Sequence, residues 1–596
     1  MVTKYLFIFL LGGIRPVLSS LLLVDQASWD AFNQDISGRL FDGRPMMSPC
    51  FNNYNGQPQR INHTRCMELR RENSPSLYFG GYQNINWAAC QSTGDNCTIS
   101  SFTREDHINP ARRCSQGSVP SKYVDVRSID DVQKSLAFIR ENGLQLVIKN
   151  TGHDYLGRSS ASDALALWTH NYRPPIHLNR SFIPEGCRSP VGDVITFGAG
   201  EQFEKIYDFA SRQNLRVVGG TGLTVGAAGG WITGGGHSLL SNELGLGVDN
   251  VYQIHAILPN GTYITASRCQ NTELFFALRG GGGGTFGIVM DVSMLAHQEK
   301  PMEVLSLSLE NRDPRIVENF LQMMVDNAER WADEGWGGYF QPGMQTDQPI
   351  TLFMATSMMD HTQAEESMKP ILDFALHSGT TASQNLTTFT GFGELMQSME
   401  TLNTMSLNHY QAAVSMSSRI VPRVNFQGTA NKHRLVEVLN DIMHTLDQKT
   451  NSSLSLPPLL VCLTTPVMYS KHLPDMDRKG GPGYSSVTPA WRDGLWHVIH
   501  KRAWVDEVEP STVADIWKET SQSMNPLRQL TPGGGAYQNE GDAFEPDPIG
   551  TFWGKDNYDR LFKFKQEVDP DNIFTVHQGI GWEESHRRYN CYPKLV

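Results

Sequence analysis

The run Ile148–Ala161, IKNTGHDYLGRSSA, sets one histidine, His153, between Gly152 and Asp154 and follows it with Gly157, Arg158, Ser159 and Ser160. Glycine and serine let backbone N–H groups and hydroxyls come close to phosphate oxygens, and the histidine adds one nitrogen nucleophile beside them. Taken alone, the stretch reads equally well as a polar β-turn loop with a solvated histidine. A second stretch favours the ligand: nine of the nineteen residues from Gly219 to His237 are glycine. Ordering glycine costs more backbone entropy than ordering any other residue, so a run this dense must be held by something, and a flat polyanionic ligand lying along the backbone would hold it. A third cluster, Gly280–Gly287, contains G-x-G-x-x-G from Gly282. A Rossmann dinucleotide site needs a strand before that pattern and a helix after it. Here a helical pattern precedes and a strand pattern follows, which excludes it.

These loops need elements to carry them. Tyr123–Val126 reads as a strand, Asp130–Asn142 as a helix through Val132, Leu136 and Ile139, and Leu144–Ile148 as a strand that delivers His153 at its end. Strands are predicted at Ala164–Trp168, Asp193–Gly198 and Leu215–Val218, with a helix at Gln202–Gln213. Val251–Leu258 and Thr262–Ala266 form a hairpin across Pro259-Asn260-Gly261. A helix at Thr272–Leu278 and a strand at Phe286–Leu295 frame the third glycine cluster. Residues 300–530 alternate strands (Glu303–Leu309, Ile350–Ala355, Tyr410–Met416) with amphipathic stretches (Ile316–Trp331, His433–Leu446). This is one α+β domain without a catalytic motif, whose strand faces could wall a substrate pocket. A last helix, Asn557–Glu567, is stopped by Asp569-Pro570-Asp571-Asn572.

With 596 residues the chain should form two or three packed units. Its formal charge of −12 and the lack of a lysine/arginine cluster speak against nucleic acid. Met1–Ser20 has Lys4, an apolar run Tyr5–Ile14 and small residues at its end, the layout of a secretory signal peptide; no later run is apolar enough to span a bilayer. Five of nine cysteines (Cys50, Cys66, Cys90, Cys97 and Cys114) fall within a loop-rich extension, residues 21–117, where disulfides of open pairing are expected. Sequons at Asn62, Asn96, Asn179, Asn260, Asn385 and Asn451 are candidate glycan sites on a secreted chain. G-x-S-x-G, H-E-x-x-H and the Walker loop are missing, so hydrolase and metal-enzyme readings lack their residues and no metal is expected. His107, His433 and His500 read as surface or packing residues.

From about Val119 to Phe574 the chain resembles the FAD-linked oxidases of the vanillyl-alcohol oxidase and p-cresol methylhydroxylase superfamily, in the berberine-bridge-enzyme-like branch with its secreted fungal isoamyl-alcohol-oxidase-like members. The resemblance rests on GHDYLGRSSA at 152–161, TVGAAGGWITGGGHSLLSNELGLGVDNV at 224–251, ELFFALRGGGGGTFGIV at 273–289, AYQNE at 536–540 and NYDRLFKFKQEVDPDNIF at 557–574. It implies an α+β fold: a two-subdomain FAD-binding domain at 118–299, a substrate domain at 300–530, and a segment at 531–596 that returns to close the flavin site. It implies a covalent bond from His153 to the flavin 8α-methyl carbon. Where many relatives carry a second, cysteine tether this chain has Gly222, so a single link is expected. Gly152, Asp154, Gly157, Arg158, Ser159 and Ser160 take the pyrophosphate-loop positions. Gly226, Gly230, Gly235, Gly236 and His237 take those along the ribityl chain and ring, and Asp249 with Ile288 or Val289 those near the ADP half.

The position after the AYxN asparagine, a tyrosine in several relatives, is Glu540. Burial beside an apolar flavin face would raise its pKa and let it take a proton as hydride leaves for the flavin; a salt bridge at the domain interface is an equal alternative. Tyr537 and Asn557 are weaker candidates for orienting substrate or touching flavin. The implied activity is oxidation of an alcohol, amine or activated C–H carbon of a small molecule, with molecular oxygen as acceptor. A dehydrogenase with another acceptor and a low-turnover flavin-binding protein are the alternatives.

Overall fold

The computed structural model describes residues 20–71, 86–99, 109–310, 313–343, 348–406, 413–447, 459–473, 485–504 and 508–595. The signal-like segment before Ser20, His107 and Asn451 lie outside them.

The first sheet runs, in order, Leu40–Asp42, Lys122–Asp125, Ala164–Trp168 and Gln145–Lys149. Its last three strands are parallel, and Ala164–Trp168 sits between the two strands of the β-α-β unit. The connecting helix Ile129–Asn142 starts at Ser128, whose hydroxyl accepts from the Asp131 backbone N–H while Asp131 accepts from Ser128, and stops at Gly143, which takes the left-handed conformation at φ 59°. Asp131 also holds Arg39, so the early chain is pinned to the same helix end. Trp29, Phe32 and Ile36 bury themselves against Val132, Leu136 and Ile139. Residues 20–42 therefore complete this layer, a contribution that their weak periodicity does not announce.

The second sheet is antiparallel, ordered Tyr263–Ser267, Val251–Ile257, Ile288–Leu295, Val194–Gly198 and His177–Asn179. The predicted hairpin is its first pair. Helix Phe203–Arg212 packs Phe203, Ile206 and Tyr207 into the same core.

A seven-stranded antiparallel sheet dominates the rest, in the order Ala382–Phe389, Met302–Leu309, Ile350–Thr356, Gly337–Gln341, Leu459–Cys462, Gly494–Trp504 and Ala413–Pro422. Side chains alternate across a strand. Phe340, Leu459, Val461, Trp496 and Val498 turn to one face and form a core with helices Pro314–Asp333, His361–His377 and Thr429–Asp447. The intervening residues turn to the glycine-rich loops. Gly494–Trp504 was not foreseen from the sequence, because buried residues fill both its faces and erase the alternation.

Four disulfides join Cys50 to Cys66, Cys90 to Cys591, Cys97 to Cys114 and Cys187 to Cys269; Cys462 is a buried thiol. Such usage belongs to chains that fold in an oxidising compartment. No helix among the described residues is long and apolar enough to cross a membrane.

Candidate active site

The three glycine-bearing loops and the free face of the seven-stranded sheet enclose one cavity of about 370 Å³. Gly152, His153, Asp154, Arg158 and Ser159 line it from the first subdomain. Gly226, Gly230, His237, Ile288 and Val289 line it from the second, and Tyr537, Asn539 and Glu540 from the C-terminal segment.

The His153 loop is clasped from behind. The indole N–H of Trp87 donates to the Tyr155 carbonyl at 3.0 Å, the Ser160 hydroxyl donates to the Trp87 and Ser118 carbonyls, and the Tyr592 hydroxyl donates to the Leu156 carbonyl. Gly157 has φ +73°, and a Cβ there would sit 2.6 Å from the Trp87 ring. Gly157 and Ser160 thus shape the loop without lining the cavity. Asp154 accepts from the Ser159 backbone at 2.7 Å and pairs with Arg158, whose other guanidinium nitrogen donates to Asn539 at 2.8 Å. His153 Nε2 lies 2.9 Å from the Thr224 hydroxyl. Burial, reinforced by the nearby charge of Lys149, pushes the His153 imidazole down to about 3, so it is neutral at any physiological pH. Lys149 is itself pushed down to about 7 by burial.

The glycine run folds as tight helical turns over Ala227–Gly234. At Gly226 a Cβ would lie 2.0 Å from Asn150 Oδ1. Gly235 and Gly236 stand behind the wall, packed on Tyr537 and on the Trp231 ring.

Glu540 Oε2 accepts from His237 Nε2 at 3.2 Å, and His237 Nδ1 faces the Thr464 hydroxyl at 2.9 Å. A carboxylate only accepts, so Nε2 carries the imidazole proton and Nδ1 accepts from Thr464. His497 Nδ1 lies 3.6 Å from the same carboxylate, and burial pushes that histidine down to about 3. The pKa of Glu540 differs from the sequence expectation. Burial pushes it up, but His237, His497 and Lys501 outweigh burial and hold it below the usual carboxylate value. The carboxylate faces the cavity and is hydrogen-bonded to His237. His237, His497 and Glu540 are also the one His/Cys/Asp/Glu group among the described residues close enough to share a metal ion. The His237–Glu540 hydrogen bond already uses a nitrogen and an oxygen that such an ion would need.

Two predicted residues sit elsewhere. Asp249 does not reach the cavity; its buried carboxylate makes a two-point ion pair with Arg492 at 2.7 Å, fastening the flank of the glycine run to the chain before strand Gly494–Trp504. Its place in a glycine-rich motif concealed this structural use. Asn557 is buried and donates to the Val487 carbonyl at 3.0 Å. Tyr537, by contrast, stands in the wall, accepting from Asn539 at 2.7 Å.

Sequence reasoning missed the sheet's contribution. Tyr339, Met416, Leu460, Cys462, Ile499 and Lys501 line the cavity, and strand register makes them one patch: Cys462 pairs with Tyr339 and His497, Leu460 with Ile499, and Met416 with Lys501. The available signal was the two-residue spacing of His497, Ile499 and Lys501, polar residues at both ends of an apolar strand.

Residues 120–267 match the family described as FAD binding domain, and residues 536–581 match the one described as berberine and berberine like. An FAD-linked oxidoreductase of Aspergillus flavipes, ffsJ, is 30% identical over 594 residues, covering 93% of this chain and 92% of that protein. The chain belongs to the FAD-linked oxidoreductase family. A second family member, cheF of Chaetomium globosum, is 30% identical over 94% of this chain and 86% of its own length. The crystal structure of the VAO-type flavoprotein MtVAO615 from Myceliophthora thermophila C1 superposes with a TM-score of 0.75 at 25% identity, covering 94% of this chain and 95% of that one.

The cavity suits the family's cofactor, FAD. Gly230 opens onto it with nothing within 4 Å of where a Cβ would stand, as a flat ring system requires. Asn150 Oδ1, on the same wall, is buried without a hydrogen-bond partner, and Arg158 and Ser159 supply donors for phosphate.

Proposed function

We propose that this FAD-linked oxidoreductase is a secreted oxidase that holds its flavin through one covalent bond to His153 and uses Glu540 as its base. The observation that carries the reading is one cavity whose wall holds both a neutral imidazole, His153, and a hydrogen-bonded Glu540–His237 pair. Bound FAD supplies the hydride acceptor. His153, unprotonated, is a competent nucleophile for the tether. Gly222 lines the cavity where a second tether would have to rise, and glycine has no atom to offer.

Glu540 takes the proton of the substrate hydroxyl or amine as the adjacent carbon gives up hydride, because it is ionised and faces the cavity. His237, with Thr464 behind it, keeps the carboxylate ionised and oriented through its Nε2–H. His497, neutral and 3.6 Å away, keeps the far side of the carboxylate out of water.

Disulfides and sequons support the secreted part of the reading. Asn62, Asn179, Asn260 and Asn385 are exposed, whereas Asn96 is half-buried and its amide donates to the Gly94 carbonyl. The acceptor separates an oxidase from a dehydrogenase, and peroxide formation during turnover decides it. The decisive experiment is visible absorption of the denatured protein beside His153→Ala. Flavin that stays with the unfolded wild-type chain and leaves the variant supports the tether. Flavin that washes out of both removes it.

A further inference from the structure

Strand Gly494–Trp504 presents Ile499 and Lys501 to the cavity, with His497 fully buried on the same face, since residues two apart share a face. Around Lys501 the wall is apolar: Met416 is its cross-strand partner, and Ile499, Leu460 and Cys462 pack together beside it. Cationic side chains in apolar surroundings are almost always paired. Lys501 makes no hydrogen bond or ion pair with a described residue. Its neighbour Arg502 points to the opposite face and pairs with Glu519. Glu540 faces Lys501 across the cavity but is engaged by His237.

The two ends of this wall are chemically different. At a rise of roughly 3.3 Å per residue, Lys501 lies roughly 13 Å along the strand from His497, which adjoins Glu540. A proton acceptor beside His497, and an ammonium whose charge Glu540 feels but with which it forms no ion pair, with aliphatic and thioether groups along the wall, describe a molecule with an oxidisable carbon, an apolar middle and an anionic tail.

We propose that Lys501 anchors a carboxylate of the substrate, so that the enzyme acts on small organic acids whose far end carries the carbon to be oxidised. This rests on the cavity being the flavin site. The anion reaches an ammonium already desolvated by the protein, which strengthens the pair relative to water. It also fixes which end of the substrate meets Glu540, making Lys501 a specificity residue.

The test titrates the holoenzyme calorimetrically with benzoate, phenylacetate and cinnamate, each against its primary amide, in wild type, Lys501→Met and Lys501→Arg. At least one acid is expected to bind wild type about tenfold more tightly than its amide. Lys501→Met should bring that ratio to about one while leaving amide affinity in place, and Lys501→Arg should keep the preference. Wild type that binds every acid no better than its amide, or a Lys501→Met variant that keeps the preference, would overturn the proposal. Should Lys501→Met not fold, the wild type titrated at high salt serves in its place: an acid preference that fades supports the charged anchor, and one that persists unchanged overturns it. Flavin content, read from visible absorbance of the same samples, separates the two claims. Yellow protein indifferent to charge sinks the anchor alone, and colourless protein with a Lys501-dependent preference sinks the flavin reading alone.

Discussion

The glycine-bearing loops and the seven-stranded sheet share one cavity but build their walls differently. The loop side presents backbone and contiguous residues: Gly152–Asp154, Arg158 and Ser159 come from a single turn of chain, and the glycine run from another. The sheet side presents one or two side chains from each of four strands, brought together by register across more than 160 residues of sequence. A rigid, common cofactor can be recognised by main chain, which tolerates little change. A substrate is recognised by side chains that one mutation replaces without disturbing the sheet.

The contrast can be broken by experiment, beginning where the effect is largest. Glu540→Gln should slow anaerobic flavin reduction by about 10²–10⁴-fold, measured by stopped flow, with flavin content unchanged. A variant that reduces at the wild-type rate would move the base elsewhere.

Gly226→Ala comes next. Its Cβ would collide with Asn150, whose amide is tied to the Thr169 hydroxyl and the Ala199 carbonyl and cannot swing aside. A cost of about 1–3 kcal/mol and loss of bound flavin are expected, read by thermal unfolding and absorbance. On the sheet side Met416→Ala should keep its flavin and change KM for a good substrate by about tenfold or less, a cost confined to one contact. If Met416→Ala loses flavin as Gly226→Ala does, the division of labour is wrong.

The pH dependence sharpens the comparison further. Glu540 acts as the ionised base and its pKa is held below 4.5, so reduction should stay fast down to about pH 4.5 and fall only below it. His237→Gln removes a stabilising partner and should move that acid limb upward. Because the folded-state value is depressed, the same pair stabilises the fold above the unfolded pKa and loses that contribution as pH falls through the folded one. The smallest effect is expected at Asn96, whose half-buried amide, bonded to the Gly94 carbonyl, should stay unglycosylated while the exposed Asn179 and Asn260 are modified, as mass spectrometry of a secreted preparation would reveal.

What could be read from sequence follows the same line. The β-α-β unit, the hairpin, the helix before Gly280 and the histidine loop each combine a local period with local punctuation, and their elements stand within a few residues of where the pattern puts them. Glu540, His153 and the glycines that line the cavity were visible because a ligand with a fixed shape imposes contiguous motifs. Asp249 was misplaced because a motif marks a neighbourhood and not an atom; two oxygens spent on Arg492 look identical in sequence to two oxygens near a ribose. Lys501, His497 and Thr464 were invisible because their meaning lies in strand pairing, and register is set by contacts distant in the chain. The pKa of Glu540 went the wrong way for the same reason, since burial is local information and a histidine 303 residues away is not.

Trp87 and Tyr592 clasp the back of the histidine loop, and Cys90 is joined to Cys591, so part of the support for residue 153 comes from a segment more than 400 residues downstream. Chains of this size fold unit by unit as they are synthesised. This loop cannot be finished that way: until residues 591 and 592 have been made and an oxidant has joined Cys90 to Cys591, it lacks its backing. Maturation of the histidine loop is thereby delayed behind synthesis of a distant segment, and the redox state of the compartment acts as its gatekeeper.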